Sequence, residues 1–138
     1  AGARPGFADH HRFHSSNAIA PDAVIGLAAI TDMETYAGGE SSCEKSTVQL
    51  LGAPVEQPDR YGAVSPLHLL PLRVPSILAQ GADDPIVPPA QSETFHSRAL
   101  AMGEKSSILR LPGAGHFDLI HPRTAAWRAI LSTLGECS

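Results

Sequence analysis

Three short apolar runs set the frame for this chain: Ala23-Val-Ile-Gly-Leu-Ala-Ala-Ile-Thr31, Val74-Pro-Ser-Ile-Leu-Ala-Gln80 and Ser107-Ile-Leu-Arg-Leu111. A continuous apolar run of that length, without polar alternation, is the pattern of a strand covered on both faces, and such strands belong to parallel sheets flanked by helices. The text between the runs changes period to that of helices. Ser41-Ser-Cys-Glu44 fits the S-x-x-E capping box, Val48 and Leu51 follow three apart, and Gly52 stands at a helix end, which predicts a helix over 42–51. Pro88 and Pro89 suit a helix's first turn; Phe95, Ala99 and Met102 then repeat at i, i+4 and i+7 up to Gly103. Pro122 opens a last helix with an apolar stripe at Trp127, Ile130, Leu131 and Leu134, on which Trp127 reads as a core anchor.

The predicted order is strand, helix, strand, helix, strand, helix, hence an α/β fold with right-handed crossovers. The chain divides into a loop over 1–22, a strand over 23–31, a helix with a connecting, cap-like segment over 32–73, and two strand–helix units over 74–138. Four prolines between Ala53 and Leu72 restrict that stretch to single turns. With 138 residues, 43% of them hydrophobic, the chain can bury a core of its own as one domain or as a piece of a larger one.

A net charge of −4 without any basic run argues against nucleic acid, and no apolar run reaches the roughly 18 residues that a membrane-spanning helix needs. The N-terminus, Ala1-Gly-Ala-Arg-Pro-Gly6, shows neither an initiator Met nor a secretory pattern, so the chain is expected to start inside a longer gene product. Cys43 and Cys137 read as two free thiols, which leans toward the cytosol. His10, His11 and His14, with Asp9 as their one suitable neighbour, lack a completed ligand set and read as a solvated loop; no metal and no cofactor is expected.

In parallel sheets, functional groups gather beyond the carboxyl ends of the strands. Two polar residues stand there. Asp84 follows the second run inside Gly81-Ala-Asp-Asp-Pro-Ile-Val-Pro88, and His116 follows the third behind Pro112-Gly-Ala-Gly115. Asp83 and Asp84 could be plain turn formers before a proline, and His116 a loop histidine without a task. As a pair at equivalent strand ends they are instead two parts of the machinery that activates a hydroxyl nucleophile: an imidazole base, and a carboxylate that fixes its tautomer and stabilises the imidazolium. The third part, a serine on a Gly-x-Ser-x-Gly turn, is absent from the sequence. Gly39-Glu-Ser41-Ser-Cys43 comes nearest, but no strand runs into Ser41, Cys43 occupies the last Gly position, and the capping box already accounts for Ser41.

Gly81-x-x-Asp84-x-x-Val87-Pro88 followed by Gly113-Ala-Gly115-His116-Phe117, with the weaker Ser65-Pro66, resembles the C-terminal part of the α/β-hydrolase family in its esterase or prolyl-oligopeptidase-like branch. The resemblance in element order runs from about Ala23 to Leu134, and its specific motifs cover residues 74–122. It implies a Ser-Asp-His triad with Asp84 as orienting acid, His116 as base, and the serine and oxyanion hole upstream of anything in this chain. The expected function is therefore the acid- and histidine-bearing part of a serine hydrolase that cleaves a small-molecule ester or peptide-like amide by acyl transfer, the chain alone being inactive. The alternative is a non-catalytic α/β binding module in which the Asp and His are remnants. In the family's arrangement the first strand would pair with one not present here, so its apolar edge is expected to leave the isolated chain marginally stable or self-associating.

Overall fold

The computed structural model describes residue 19 and residues 21–136; the histidine cluster and Cys137 lie outside them. Three strands, β1 (Val24–Leu27), β2 (Ser76–Gly81) and β3 (Ser106–Leu111), form a parallel sheet in the order β1-β2-β3. The register pairs Val24 with Ser76, and runs along the second ladder from Ser76 opposite Ser106 to Gly81 opposite Leu111. Five helices accompany the sheet: α1 (Met33–Ala37), α2 (Ser42–Leu51), α3 (Pro58–Val64), α4 (Pro89–Ala101) and α5 (Ala125–Glu136), with 3-10 turns at Pro66–Leu69 and Phe117–Leu119.

The pleat of the central strand sorts the core into two layers. Leu78 points to one side, where it packs with Phe95 and Ala99 of α4 and with Leu67, Leu70, Leu72 and Ile108. Ala79, its neighbour, points to the other, where Ala126 and Ile130 of α5 meet Leu111, Leu119, Val87 and Tyr36. With a helix on each face, β2 is buried along most of its length, and its apolar run Ile-Leu-Ala has the composition that such a position demands.

The sheet matches the expected architecture, and three local features depart from it. First, β1 stops at Leu27 rather than Thr31, because Ala28 turns into the left-handed region at φ 43°, a conformation that a strand does not continue through. Second, the stretch read as a proline-rich connection holds α3. Pro58 sits in that helix's first turn, where its missing N–H costs nothing, and the Tyr61 hydroxyl donates to the Gly52 carbonyl at 2.7 Å from a fully buried ring. Third, of the stripe expected on α5 only Ile130 is buried, and it is joined on the core side by Ala126 and Ala129. Ala126 and Ile130 are buried, whereas Leu131 and Leu134 are 46% and 37% exposed and Trp127 is only half-buried, so Trp127 is not the core anchor that the stripe suggests. Alanines let the helix axis approach the sheet more closely than the larger side chains would.

The segment that leaves β1 is held by a buried glutamine. Gln91 of α4 accepts the N–H of Thr31 at 2.9 Å and of Asp32 at 2.7 Å on its side-chain oxygen, donates to the Asp32 carbonyl at 3.1 Å, and receives the Thr31 hydroxyl on its own backbone carbonyl at 2.6 Å. Ser65, fully buried, accepts the next N–H, that of Met33, at 3.0 Å. Asp32 then caps α1 by accepting from the N–H groups of Glu34 and Thr35. Gln91→Ala leaves the buried Thr31 N–H unpaired and opens a small cavity, and is expected to cost about 2 kcal/mol in urea-induced unfolding. A change within experimental error would show that the segment finds other partners.

Candidate functional site

β2 and β3 end side by side, and the two loops that leave them are stitched together. The Ala82 N–H donates to the Leu111 carbonyl at 3.0 Å, and the Asp83 N–H to the Ala114 carbonyl at 3.1 Å. Gly81 makes the close approach possible: a Cβ there would lie 2.4 Å from the Ala114 carbonyl oxygen. Gly113, at φ 70°, turns the second loop back, and the Asp118 carboxylate accepts the Gly115 N–H at 2.8 Å to fix the residue before His116.

These loops bring the two sequence-predicted residues together. His116 Nδ1 lies 2.9 Å from Asp84 Oδ2 across 32 residues of chain. An ionised carboxylate can only accept, so Nδ1 carries the proton and donates it to Asp84. The Asp84 side chain is wholly buried while that of His116 is 26% exposed, an arrangement in which the acid is shielded and the ring still reaches solvent. The other carboxylate oxygen, Oδ1, accepts the N–H groups of Ile86 at 2.8 Å and Val87 at 2.9 Å. The Phe117 ring meets the imidazole edge to face at 5.2 Å between centroids.

Burial pushes the Asp84 carboxyl up, but the Val87 and Ile86 N–H groups and the His116 ring outweigh it and hold the group below the ordinary carboxylate range. A carboxyl whose pKa is lowered by folding contributes stability that is complete above its unfolded pKa of about 3.9 and is lost as pH falls through the lower folded value. Glu44, lowered by its hydrogen bonds to the Ser41 side chain and backbone, adds to the same acidic window. Denaturant titrations across that window are expected to show stability falling with pH more steeply in the wild type than in Asp84→Asn. Equal slopes would mean that Asp84 is not ionised and paired in the folded state.

Ser41 is occupied elsewhere. It caps α2, its hydroxyl accepting the Glu44 N–H at 3.3 Å and its own N–H donating to the Glu44 carboxylate at 2.8 Å. Among the described residues, no serine hydroxyl is hydrogen-bonded to the His116 ring, and His116 Nε2, the nitrogen remote from Asp84, has no hydrogen-bond partner. The geometry is that of the acid and histidine of a Ser-Asp-His arrangement without its serine. No group of side chains suited to a metal occurs among the described residues, and no described helix is long and apolar enough to cross a membrane. Cys43 is exposed and free.

The BD-FAE family matches residues 6–99. The chain belongs to the BD-FAE family. Its strand order, its helix on each face of the sheet and its strand-end acid and histidine are those of an α/β-hydrolase-fold domain homologous to esterases and S9-like peptidases. Among solved structures, this BD-FAE chain is similar to a puromycin hydrolase, at 31% identity and a TM-score of 0.59 over 69% of this chain and 15% of that one. It is also similar to a puromycin-hydrolyzing peptidase of Mycobacterium tuberculosis, at 27% identity and a TM-score of 0.63 over 84% of this chain and 17% of that one. The acylaminoacyl peptidase of Pyrococcus horikoshii, at 21% identity and a TM-score of 0.68 over 82% of this chain and 19% of that one, shares the fold. The BD-FAE chain thus spans less than a fifth of each of these three proteins. No curated protein matches it.

Sequence reasoning missed two polar residues of the site, Gln80 and Ser92. Both are buried, at 3% and 0% exposure, and form a layer behind the Asp84 carboxylate. Their signal was present: Gln80 is the one polar side chain in the run Ile77-Leu-Ala-Gln80 of the most covered strand.

Proposed function

We propose that this chain is the acid- and base-bearing part of a serine hydrolase that cleaves an ester or amide bond by acyl transfer. The observation that carries the reading is the 2.9 Å contact between His116 Nδ1 and the buried Asp84 carboxylate, with Nε2 directed away from the acid. In this reading His116 Nε2 takes the proton of a serine hydroxyl as that oxygen attacks the carbonyl, and returns it to the leaving oxygen or nitrogen. Asp84 holds the ring in the Nδ1–H tautomer and stabilises the imidazolium that forms between the two transfers. The serine and the donors for the oxyanion come from outside the described residues. No cofactor enters the scheme.

The names of two relatives above 25% identity, a puromycin hydrolase and a puromycin-hydrolyzing peptidase, support a small peptide-like substrate. The whole of 1–138 is read as one partial α/β-hydrolase domain, with 32–73 as the cap-like segment bordering the substrate side. The chain alone is expected to turn over no p-nitrophenyl ester, whereas the longer protein that carries the serine is labelled by a fluorophosphonate. Turnover by the chain alone that disappears in His116→Ala would overturn the missing-serine reading, and a longer protein that resists labelling would favour a binding module.

The open side of β1 supports self-association. Among the described residues β1 pairs only with β2, and Val24 on it is 39% exposed. The isolated chain is expected to elute in size-exclusion chromatography ahead of a monomer; a concentration-independent monomer would sink this expectation.

A further inference from the structure

We propose that Gln80, locked in place by Ser92, is a positioning residue for the Asp84–His116 pair; the inference rests on the reading of that pair as acid and base. Gln80 ends the apolar part of β2 on the side of the sheet that α4 covers, and its amide meets four groups from three elements. Its side-chain oxygen accepts the Ser92 hydroxyl of α4 at 2.9 Å. Its side-chain nitrogen donates to the Val87 carbonyl at 3.1 Å, lies 3.3 Å from the Gly81 carbonyl, and lies 3.5 Å from Asp84 Oδ2, the oxygen that also receives His116. Carbonyls and a carboxylate only accept, so the amide has one workable orientation, with its NH2 toward the Asp84 loop and its oxygen toward Ser92.

Two routes lead from Gln80 to the imidazole. The direct one is the long contact to Oδ2, which adds a donor on the oxygen that His116 uses. The stronger one runs through Val87. Gln80 holds the Val87 carbonyl, and the N–H of the same residue holds Oδ1, so the amide ties down the residue next to the carboxylate, while the peptide that bears that N–H is held on its Ile86 carbonyl by the Tyr36 hydroxyl at 3.2 Å. Without Gln80 the loop 81–88 keeps its backbone links to Leu111 and Ala114, the Tyr36 hydroxyl on Ile86 and the Gln91 N–H on Pro88, but the Val87 carbonyl loses its tie to β2. The expected consequence is a carboxylate that turns more freely and a ring that leaves the Nδ1–H tautomer more often.

The tautomer is read from the ring nitrogen shifts of the chain labelled with 15N-histidine, in solution or, where the chain associates, in the solid state. Gln80→Met keeps length and volume and removes the amide. Gln80→Glu keeps the acceptor for Ser92 and, when ionised, turns a second oxygen toward Val87, Gly81 and Asp84. Each is expected to lower the Nδ1–H to Nε2–H ratio of neutral His116 about fivefold or more, as expected for weakening one charge-assisted hydrogen bond. Ile130→Ala, which opens a cavity in the core on α5 and removes no donor from Asp84, is expected to leave the ratio unchanged, so a general loss of stability does not imitate the effect. Should Gln80→Met fail to fold, Ser92→Ala decides: it frees the amide oxygen and is expected to lower the ratio about twofold. A ratio that survives Gln80→Met, or Ser92→Ala where that variant decides, overturns the role of Gln80 and leaves the functional reading standing. A wild-type chain with no Nδ1–H excess breaks the pair itself and takes both down.

Discussion

His116→Ala, made in the protein that supplies the serine, is expected to lower kcat/KM for an activated ester by about 10⁴-fold or more, and Asp84→Asn by about 10³- to 10⁴-fold. In the proposed reading the first variant removes the group that accepts the serine proton. The second keeps the shape of the acid but presents an amide whose NH2 can face the ring, which favours the tautomer with its proton on Nε2, where the hydroxyl proton must go. Because the Asp84 side chain is wholly buried, water does not replace the lost carboxylate. The double variant is expected to lose little more than His116→Ala, since the two residues act as one unit. Additive losses in the double variant, or an Asp84→Asn rate within about threefold of wild type, would separate the acid from the base and refute the shared role.

The second large effect concerns the approach of the two strand-end loops. Gly81→Ala places a methyl 2.4 Å from the Ala114 carbonyl oxygen and 3.2 Å from that of Gly115, both of them backbone atoms that cannot rotate aside. Relief requires the exits of β2 and β3 to separate, which strains the Ala82–Leu111 and Asp83–Ala114 hydrogen bonds and pulls the Asp84 loop from His116. A loss of about 3 kcal/mol in stability is expected, at the upper end for overpacking. Gly62→Ala, where no atom lies within 4 Å of the added Cβ and the residue is inside α3, is the matched control and is expected to be neutral or slightly stabilising. Equal effects at the two glycines would show that the close approach is soft.

Much of this architecture could be read before any coordinates, and the reason differs from element to element. The helix Ser42–Leu51 was placed to the residue because its start is a local device, the Ser41–Glu44 capping box, which needs nothing from the rest of the molecule. β2 was placed within about two residues because a strand covered on both faces leaves an apolar signature, and β3 within about one although Arg110 is exposed, because Ile108 and Leu109 keep an apolar residue on each face. Asp84 and His116 stood out as one polar residue beyond each of two such strands, and the structure brings them together. The features that escaped depend on tertiary context. α1 is five residues long and has no apolar period; it forms because Asp32 caps it and because Gln91 and Ser65 hold the segment leading in. α3 hid behind prolines that were counted as breakers although one of them occupies a helix's first turn. On α5 the stripe of large side chains drew attention, while the face toward the sheet is Ile130 with Ala126 and Ala129. Gln80 and Gln91 look alike in sequence and serve different ends: one faces the acid, the other the exit of β1.

Asp84 and His116 arise from adjacent strands joined by a single crossover helix, and the loops that present them are bonded to each other. Asp84, His116 and Gln80 therefore all belong to one strand–helix–strand unit and the turn after it, with the Tyr36 hydroxyl on the Ile86 carbonyl as a tie from α1. In the proposed reading, a unit built this way keeps proton handling constant while the nucleophile and the binding pocket, contributed by other segments at the same edge of the sheet, diversify.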